Sequence, residues 1–185
     1  LYTKTGLYAP IDVYDWLVQV HDQIPMTTYI HERSQTAEAD IRQLLATAAL
    51  YLHIPFCHTR CYYCDFNTYA GILPLREPYV RALLGEISMA GKMARSPDGA
   101  ARRSRTIFFG GGTPSLLTVS QVERLLDACR ASFAVDEDAE ITLEANPGTL
   151  DQEQLTGLRK VGVNRLSLGS QSFDAQLLIT LGRIH

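Results

Sequence analysis

The chain has no long apolar run. No stretch comes near the roughly 20 consecutive apolar residues of a membrane span, so no spanning helix is expected. No positively charged opening followed by an apolar core marks a secretory signal. Basic residues are not in excess. Seventeen Lys and Arg stand against 20 Asp and Glu, a formal charge of −3, which removes the electrostatic reason to expect nucleic acid as a partner. Cysteine is scarce, four in 185 residues. That is too few for a disulfide-stapled secreted scaffold, so a reducing compartment is expected, the cytoplasm by default. What remains is 46% apolar and 20% charged, the composition of an ordinary globular domain with enough chain for one core.

The few cysteines are not scattered. Cys57, Cys61 and Cys64 crowd into residues 51–66, with the spacing C-x3-C-x2-C directly after an apolar run that reads as a strand. Thiolates packed that closely suggest an iron–sulfur cluster. A cubane ordinarily takes four cysteines; three would leave one iron open to another ligand. Three cysteines with His53 or His58 could instead hold zinc, and a disulfide is a poorer third reading. Cys129 falls in a helical pattern with Leu125, Leu126 and Phe133 and reads as a small buried residue.

Before the cysteines little is legible. Residues 11–20 and 38–50 have helical spacing. His21 and His31 read as solvent-facing. From residue 48 onward strands and helices alternate. Strands are expected at 49–54, 106–109, 140–143 and 163–168. Helices are expected at 77–93, with Pro78 in the first turn, at 120–133, at 151–160 with Asp151 as N-cap, and from 174 to 181. Residues 95–105 read as a loop, with Arg102, Arg103 and Arg105 as a solvated face. The order β-α-β-α-β-α-β-α, with strands buried on both faces, predicts a parallel sheet. Each glycine or polar motif follows a strand, where α/β barrels place their active sites. Gly110–Gly112 is not a phosphate loop, because no Lys-Ser/Thr follows.

These motifs carry a resemblance. The cysteine spacing, with an aromatic before the last cysteine, is similar to that of the radical S-adenosylmethionine (SAM) enzymes. Residues 51–57, Cys64-Asp65-Phe66, Gly110-Gly111-Gly112-Thr113-Pro114-Ser115, Glu144-Ala145-Asn146-Pro147, 165–172 and Gly182-Arg183-Ile184-His185 together resemble the oxygen-independent coproporphyrinogen III oxidase family. Within it they look most like the haem chaperone (HemW-like) branch. The resemblance covers roughly residues 48–185. It implies an α/β fold, a partial (β/α) barrel with about the first four units of a (β/α)6 architecture, incomplete at the C-terminus. It also implies a [4Fe–4S] cluster on Cys57, Cys61 and Cys64, with SAM chelating the fourth iron. One electron would then split SAM to methionine and a 5′-deoxyadenosyl radical.

By the same resemblance SAM is bound by Tyr51, Gly111, Gly112, Thr113, Glu144, Gln171 and Arg183, with Tyr63 beside the adenine. Arg165 is either a further contact or a structural ion pair. The oxidase carries another cysteine two residues after the third. Here that position is Phe66, which favours a chaperone that binds and delivers haem over a coproporphyrinogen oxidase. The implied partners are haem or a porphyrinogen, an electron donor such as a flavodoxin or ferredoxin, and a haem-accepting protein. His53, His58 and His185 are candidate haem ligands without a spacing signal. Leu1 opens the chain and His185 falls inside a motif, so a piece of a longer protein is expected: an extension over 1–47, with Met26 as a candidate start, and a core over 48–185. Its last strand would show an open edge, and the piece alone is expected to be poorly soluble or inactive.

Overall fold

The computed structural model describes residues 47–183. The expected helix at 11–20, most of that at 38–50, and His21, His31, Ile184 and His185 lie outside the described residues. Strands β1 (Thr47–Ile54), β2 (Phe56–Cys57) and β3 (Tyr69–Ala70) come first; helices α1 (Arg76–Met93), α2 (Val119–Ser132), α3 (Gln152–Val161) and α4 (Ala175–Thr180) then alternate with strands β4 (Arg103–Gly111), β5 (Ala134–Ala145) and β6 (Arg165–Leu168). Four strands form one parallel sheet in the order β1-β4-β5-β6. The fold is an open α/β sheet of four β/α units, which does not close into a barrel.

Strand alternation sorts the sheet into two faces. Leu52, Ile54, Ile107, Phe109, Ile141 and Leu143 point one way and join Val80, Leu83, Val122, Leu125 and Leu126 from the helices in a single core. The opposite face carries Tyr51, His53, Phe108, Thr142, Glu144 and Arg165, a mixed polar and aromatic surface. Tyr51 stacks on Phe108 at 6.0 Å and 16°. Arg165 is an ion-pair residue there: its Nη1 lies 3.2 Å from Glu140 Oε1 and 3.3 Å from Thr142 Oγ1.

Four readings of the sequence need correction. Residues 47–50 belong to β1 and not to a helix, because Thr47 to Leu50 pair in register with β4. β4 begins at Arg103 and β5 at Ala134, both earlier than the apolar pattern suggested. Arg103 grips Asp136 on the neighbouring strand through two bonds of 2.7 and 2.8 Å, so a charged pair holds strand ends that hydrophobicity does not mark. The basic run is therefore partly paired. Finally, β6 is not buried on both faces: Leu166 is 39% and Leu168 61% exposed. β5 covers only one side of this edge strand.

Local signals explain the helix starts. Asp151 accepts from Gln154 N–H at 2.8 Å, and Gln154 Oε1 accepts from Asp151 N–H in return. Thr118 and Gln121 make the same reciprocal pair at the start of α2, and their T-x-x-Q spacing is itself a start signal. Cys129 is buried on α2, and burial pushes its thiol up to about 12 against the pull of Arg130.

The end of β1 is locked from below by Tyr79 on α1. Its hydroxyl donates to the His53 carbonyl at 2.6 Å, and its ring meets Phe56 edge-on at 5.3 Å. Burial first, and Glu86 second, push the phenol from 10.0 up to about 12. The fold thus favours the neutral phenol. That contribution is complete below the unfolded value near 10 and is lost as pH rises through about 12. Tyr79→Phe is expected to cost about 1 kcal/mol at neutral pH. The gap from the parent should narrow between pH 10 and about 12, as read by denaturant melts across that range. A gap that stays constant with pH would count against this account.

Candidate cluster and cofactor site

The carboxyl ends of β1, β4, β5 and β6 converge on one cavity of about 320 Å³. Each strand contributes the segment that follows it. The cysteine loop comes after β1, Gly111 to Thr113 after β4, Glu144 and Asn146 at the end of β5, and Gly169 and Gln171 after β6, with Arg183 from the chain beyond α4.

The cysteine loop is closed at its base. Phe56 and Cys57 pair with Tyr69 and Ala70, and Tyr69 N–H donates to Pro55 O at 2.8 Å. His53 Nε2 lies 2.8 Å from the Asn67 carbonyl. A carbonyl only accepts, so Nε2 carries the proton and Nδ1 accepts from Tyr51 Oη at 3.3 Å. Both ring nitrogens of His53 are thus engaged. His58 is exposed. Within the loop, Cys64 N–H donates to Cys61 O at 3.1 Å, a tight turn between two thiols. Arg60 caps it at the Cys64 carbonyl.

The glycine loop is stitched to the same segment. Gly112 N–H donates to Ile54 O and Thr113 N–H to Phe56 O, both at 2.8 Å. Gly111 N–H donates to Glu144 Oε2 at 3.2 Å. All three amides point into protein, so this loop is no anion nest. A Cβ on Gly112 would stand 2.7 Å from Phe56 O, which is why the loop can pass so close only as glycine.

Every sulfur in the loop has a hydrogen-bond partner. Thr113 Oγ1 donates to Cys57 Sγ at 3.7 Å, Arg183 Nη1 donates to Cys61 Sγ at 3.3 Å, and Thr68 Oγ1 lies 3.6 Å from Cys64 Sγ. Arg183 also donates to Asn146 Oδ1 at 2.9 Å and to the Gly169 carbonyl. Asn146 Nδ2 donates to Thr113 Oγ1 at 3.1 Å. All four cysteines are thiols with no disulfide. Among the described residues no three His, Cys, Asp or Glu side chains are gathered tightly enough for one metal ion, as a zinc site needs. A cubane spreads its thiolates over three irons, and three sulfurs each with a donor, around one cavity, suit that group.

Of the residues the resemblance singles out, Cys57, Cys61, Cys64, Tyr63, Gly111, Gly112, Thr113, Glu144, Gln171 and Arg183 all line this cavity. Gln171 does so with φ 64, a left-handed backbone that a non-glycine residue rarely holds. Tyr63 is half-exposed. Its phenol is raised chiefly by burial and lowered in part by Arg183. Tyr51 stands outside the cavity lining, on the sheet face beside it. Its phenol is raised by burial and then by Glu144. Asn146 and Thr68 were not among the expected site residues. Asn146 sits in a quoted motif, whereas Thr68 has no signal beyond lying four residues after Cys64.

Residues 51–185 match the family model described as the Radical SAM superfamily. Curated relatives include the heme chaperone HemW of Escherichia coli (strain K12), 45% identical over 143 residues, covering 76% of this chain and 36% of the relative. That of Synechocystis sp. (strain ATCC 27184 / PCC 6803 / Kazusa) is 44% identical, covering 77% and 34%. Among solved structures, coproporphyrinogen III oxidase (HemN) from Escherichia coli, described as a radical SAM enzyme, aligns with a TM-score of 0.67 and 29% identity over 91% of this chain and 39% of that one. The chain spans about a third of the length of the curated relatives it matches.

Proposed function

This chain belongs to the radical SAM superfamily, and from that premise we propose that it forms the cluster- and SAM-binding part of a haem chaperone. Membership implies a [4Fe–4S] cluster and SAM. Cys57, Cys61 and Cys64 would hold the cluster, which when bound supplies one-electron chemistry to SAM. Gly111 and Gly112 would meet the methionine end of SAM, with the Glu144 carboxylate beside them, its Oε2 accepting from Gly111 N–H. Gln171 and Arg183 close the cavity from the β6 side, Tyr63 lies where an adenine could stack, and Tyr51 supports the wall. The core is assigned to 48–185 and an extension to 1–47.

Phe66 carries the choice of chaperone over oxidase. It occupies the position where the oxidase family has a further cysteine, and it is 68% exposed at the cavity mouth. An apolar side chain there offers a flat macrocycle a surface and offers chemistry nothing. The identity of about 45% to curated haem chaperones supports the same reading. The likeness to the solved oxidase keeps coproporphyrinogen III decarboxylation as the second reading. Among the described residues no helix is long and apolar enough to cross a membrane, and the cytoplasm is the proposed location. A ferredoxin or flavodoxin donor and a haem-accepting protein are proposed partners.

The test is haem titration of the anaerobically reconstituted protein, followed by its Soret band, beside an assay for decarboxylated coproporphyrinogen III. Haem binding at micromolar concentration without decarboxylation is the expected result. Decarboxylation, or no haem binding in that range, overturns the chaperone reading.

A further inference from the structure

The polar contacts around the cysteines have a direction. A guanidinium can only donate, so Asn146 must face Arg183 with Oδ1 and turn its Nδ2 away. That nitrogen donates to Thr113 Oγ1, which leaves the threonine proton for Cys57 Sγ. The chain therefore runs one way, from Arg183 through Asn146 and Thr113 to Cys57, while the other guanidinium nitrogen reaches Cys61 directly. Thr113 is buried at 3% exposure, and so is Thr68 beside Cys64. In that setting hydrogen bonds polarise one another and act at low dielectric. A metal-bound thiolate has no proton, so at Cys64 too the hydroxyl must be the donor once a cluster is present.

We propose that Arg183, relayed by Asn146 and Thr113, and Thr68 on the far side together set the reduction potential of the cluster, one donor to each cysteine sulfur. Asn146, Thr113 and Thr68 are positioning residues in this scheme, acting on the cluster through sulfur. The inference deepens the cluster reading and rests on it. A reduced cluster carries one more negative charge than an oxidised one. Donors aimed at its sulfurs favour the reduced form, and outer-shell hydrogen bonds are a known lever on potential. The Thr113 hydroxyl serves Cys57 and Asn146, and its amide serves Phe56 O, so these polar groups are engaged with the cluster scaffold.

The test is an EPR-monitored redox titration of the SAM-free reconstituted chain, in the parent and in Thr113→Val, Asn146→Asp, Thr68→Val and Thr113→Ser. Valine keeps the shape of threonine and removes the donor. Aspartate can still accept from Arg183 but cannot donate to Thr113, so the threonine proton turns away from Cys57. Thr113→Val, Asn146→Asp and Thr68→Val should each load iron like the parent and titrate at a more negative potential. Thr113→Ser should stay at the parent value. Clusters loaded normally with unchanged potentials would overturn the proposal while leaving the cluster reading intact. A parent chain that takes up no iron–sulfur at all would overturn the cluster reading and this proposal with it. Should Thr113→Val fail to load, Thr68→Val, which leaves the relay untouched, decides the matter by the same shift.

Discussion

Cys61→Ala should bring the reconstituted chain from about four irons to near background, and Cys129→Ala should leave the iron count unchanged. Cys61 sits at the tip of a loop whose base is closed by the β2–β3 pairing and whose tip is held by Arg183 and the Cys64 turn. Removing its thiol leaves two sulfurs in the cavity. Cys129 cannot replace it. It is buried within α2 among the core leucines, and its thiol lies near 12, far from thiolate at neutral pH. The measurement is anaerobic reconstitution followed by iron and sulfide counting and absorbance. Equal iron in Cys61→Ala and the parent would remove the three-cysteine assignment. Loss of iron in Cys129→Ala would place a ligand in the core, where no other site residue reaches.

Gly112→Ala is expected to be the most damaging substitution outside the cysteines. Its Cβ would meet Phe56 O at 2.7 Å and Ile54 O at 3.0 Å. Both are backbone atoms of the segment that leads into Cys57, and they accept the amides of Thr113 and Gly112. A flexible side chain could yield; this backbone cannot, because the same carbonyls hold the glycine loop in place. Overpacking and the loss of two buried hydrogen bonds together should cost about 3 kcal/mol. SAM binding should weaken at least about tenfold, equivalent to about 1.4 kcal/mol. Gly85→Ala is the control: nothing lies within 4 Å of its Cβ position, and on exposed α1 the change should stabilise by up to about 1 kcal/mol. Urea melts and SAM titration read both variants. Equal stability of the two would contradict the close approach at Gly112.

The repeating strands and helices were legible because each is a local pattern. The apolar run before Cys57, the helical spacing of Val122, Leu125, Leu126 and Cys129, and Asp151 ahead of α3 all speak through neighbours in sequence. The starts of β4 and β5 were not legible. Their ends are charged, and what holds them is Arg103 meeting Asp136 across 33 residues. The exposed faces of Leu166 and Leu168 were misread for the same reason. A run of apolar residues says that a strand would like cover, but only the sheet order shows that β6 lies at an edge with a neighbour on one side.

The site divides along the same line. Residue type and spacing, by themselves, determined that three cysteines share one loop, that glycines let a loop come close, and that these motifs follow parallel strands. Only the tertiary structure decided which donor faces which sulfur. Arg183 lies 122 residues from Cys61, Thr113 56 residues from Cys57, and Asn146 stands between them. Hydrogen bonds depend on distance and angle in space, and chain position carries almost no information about either over such separations. A motif can name the residues of a site, but the direction in which protons point through it is settled when the strands come side by side.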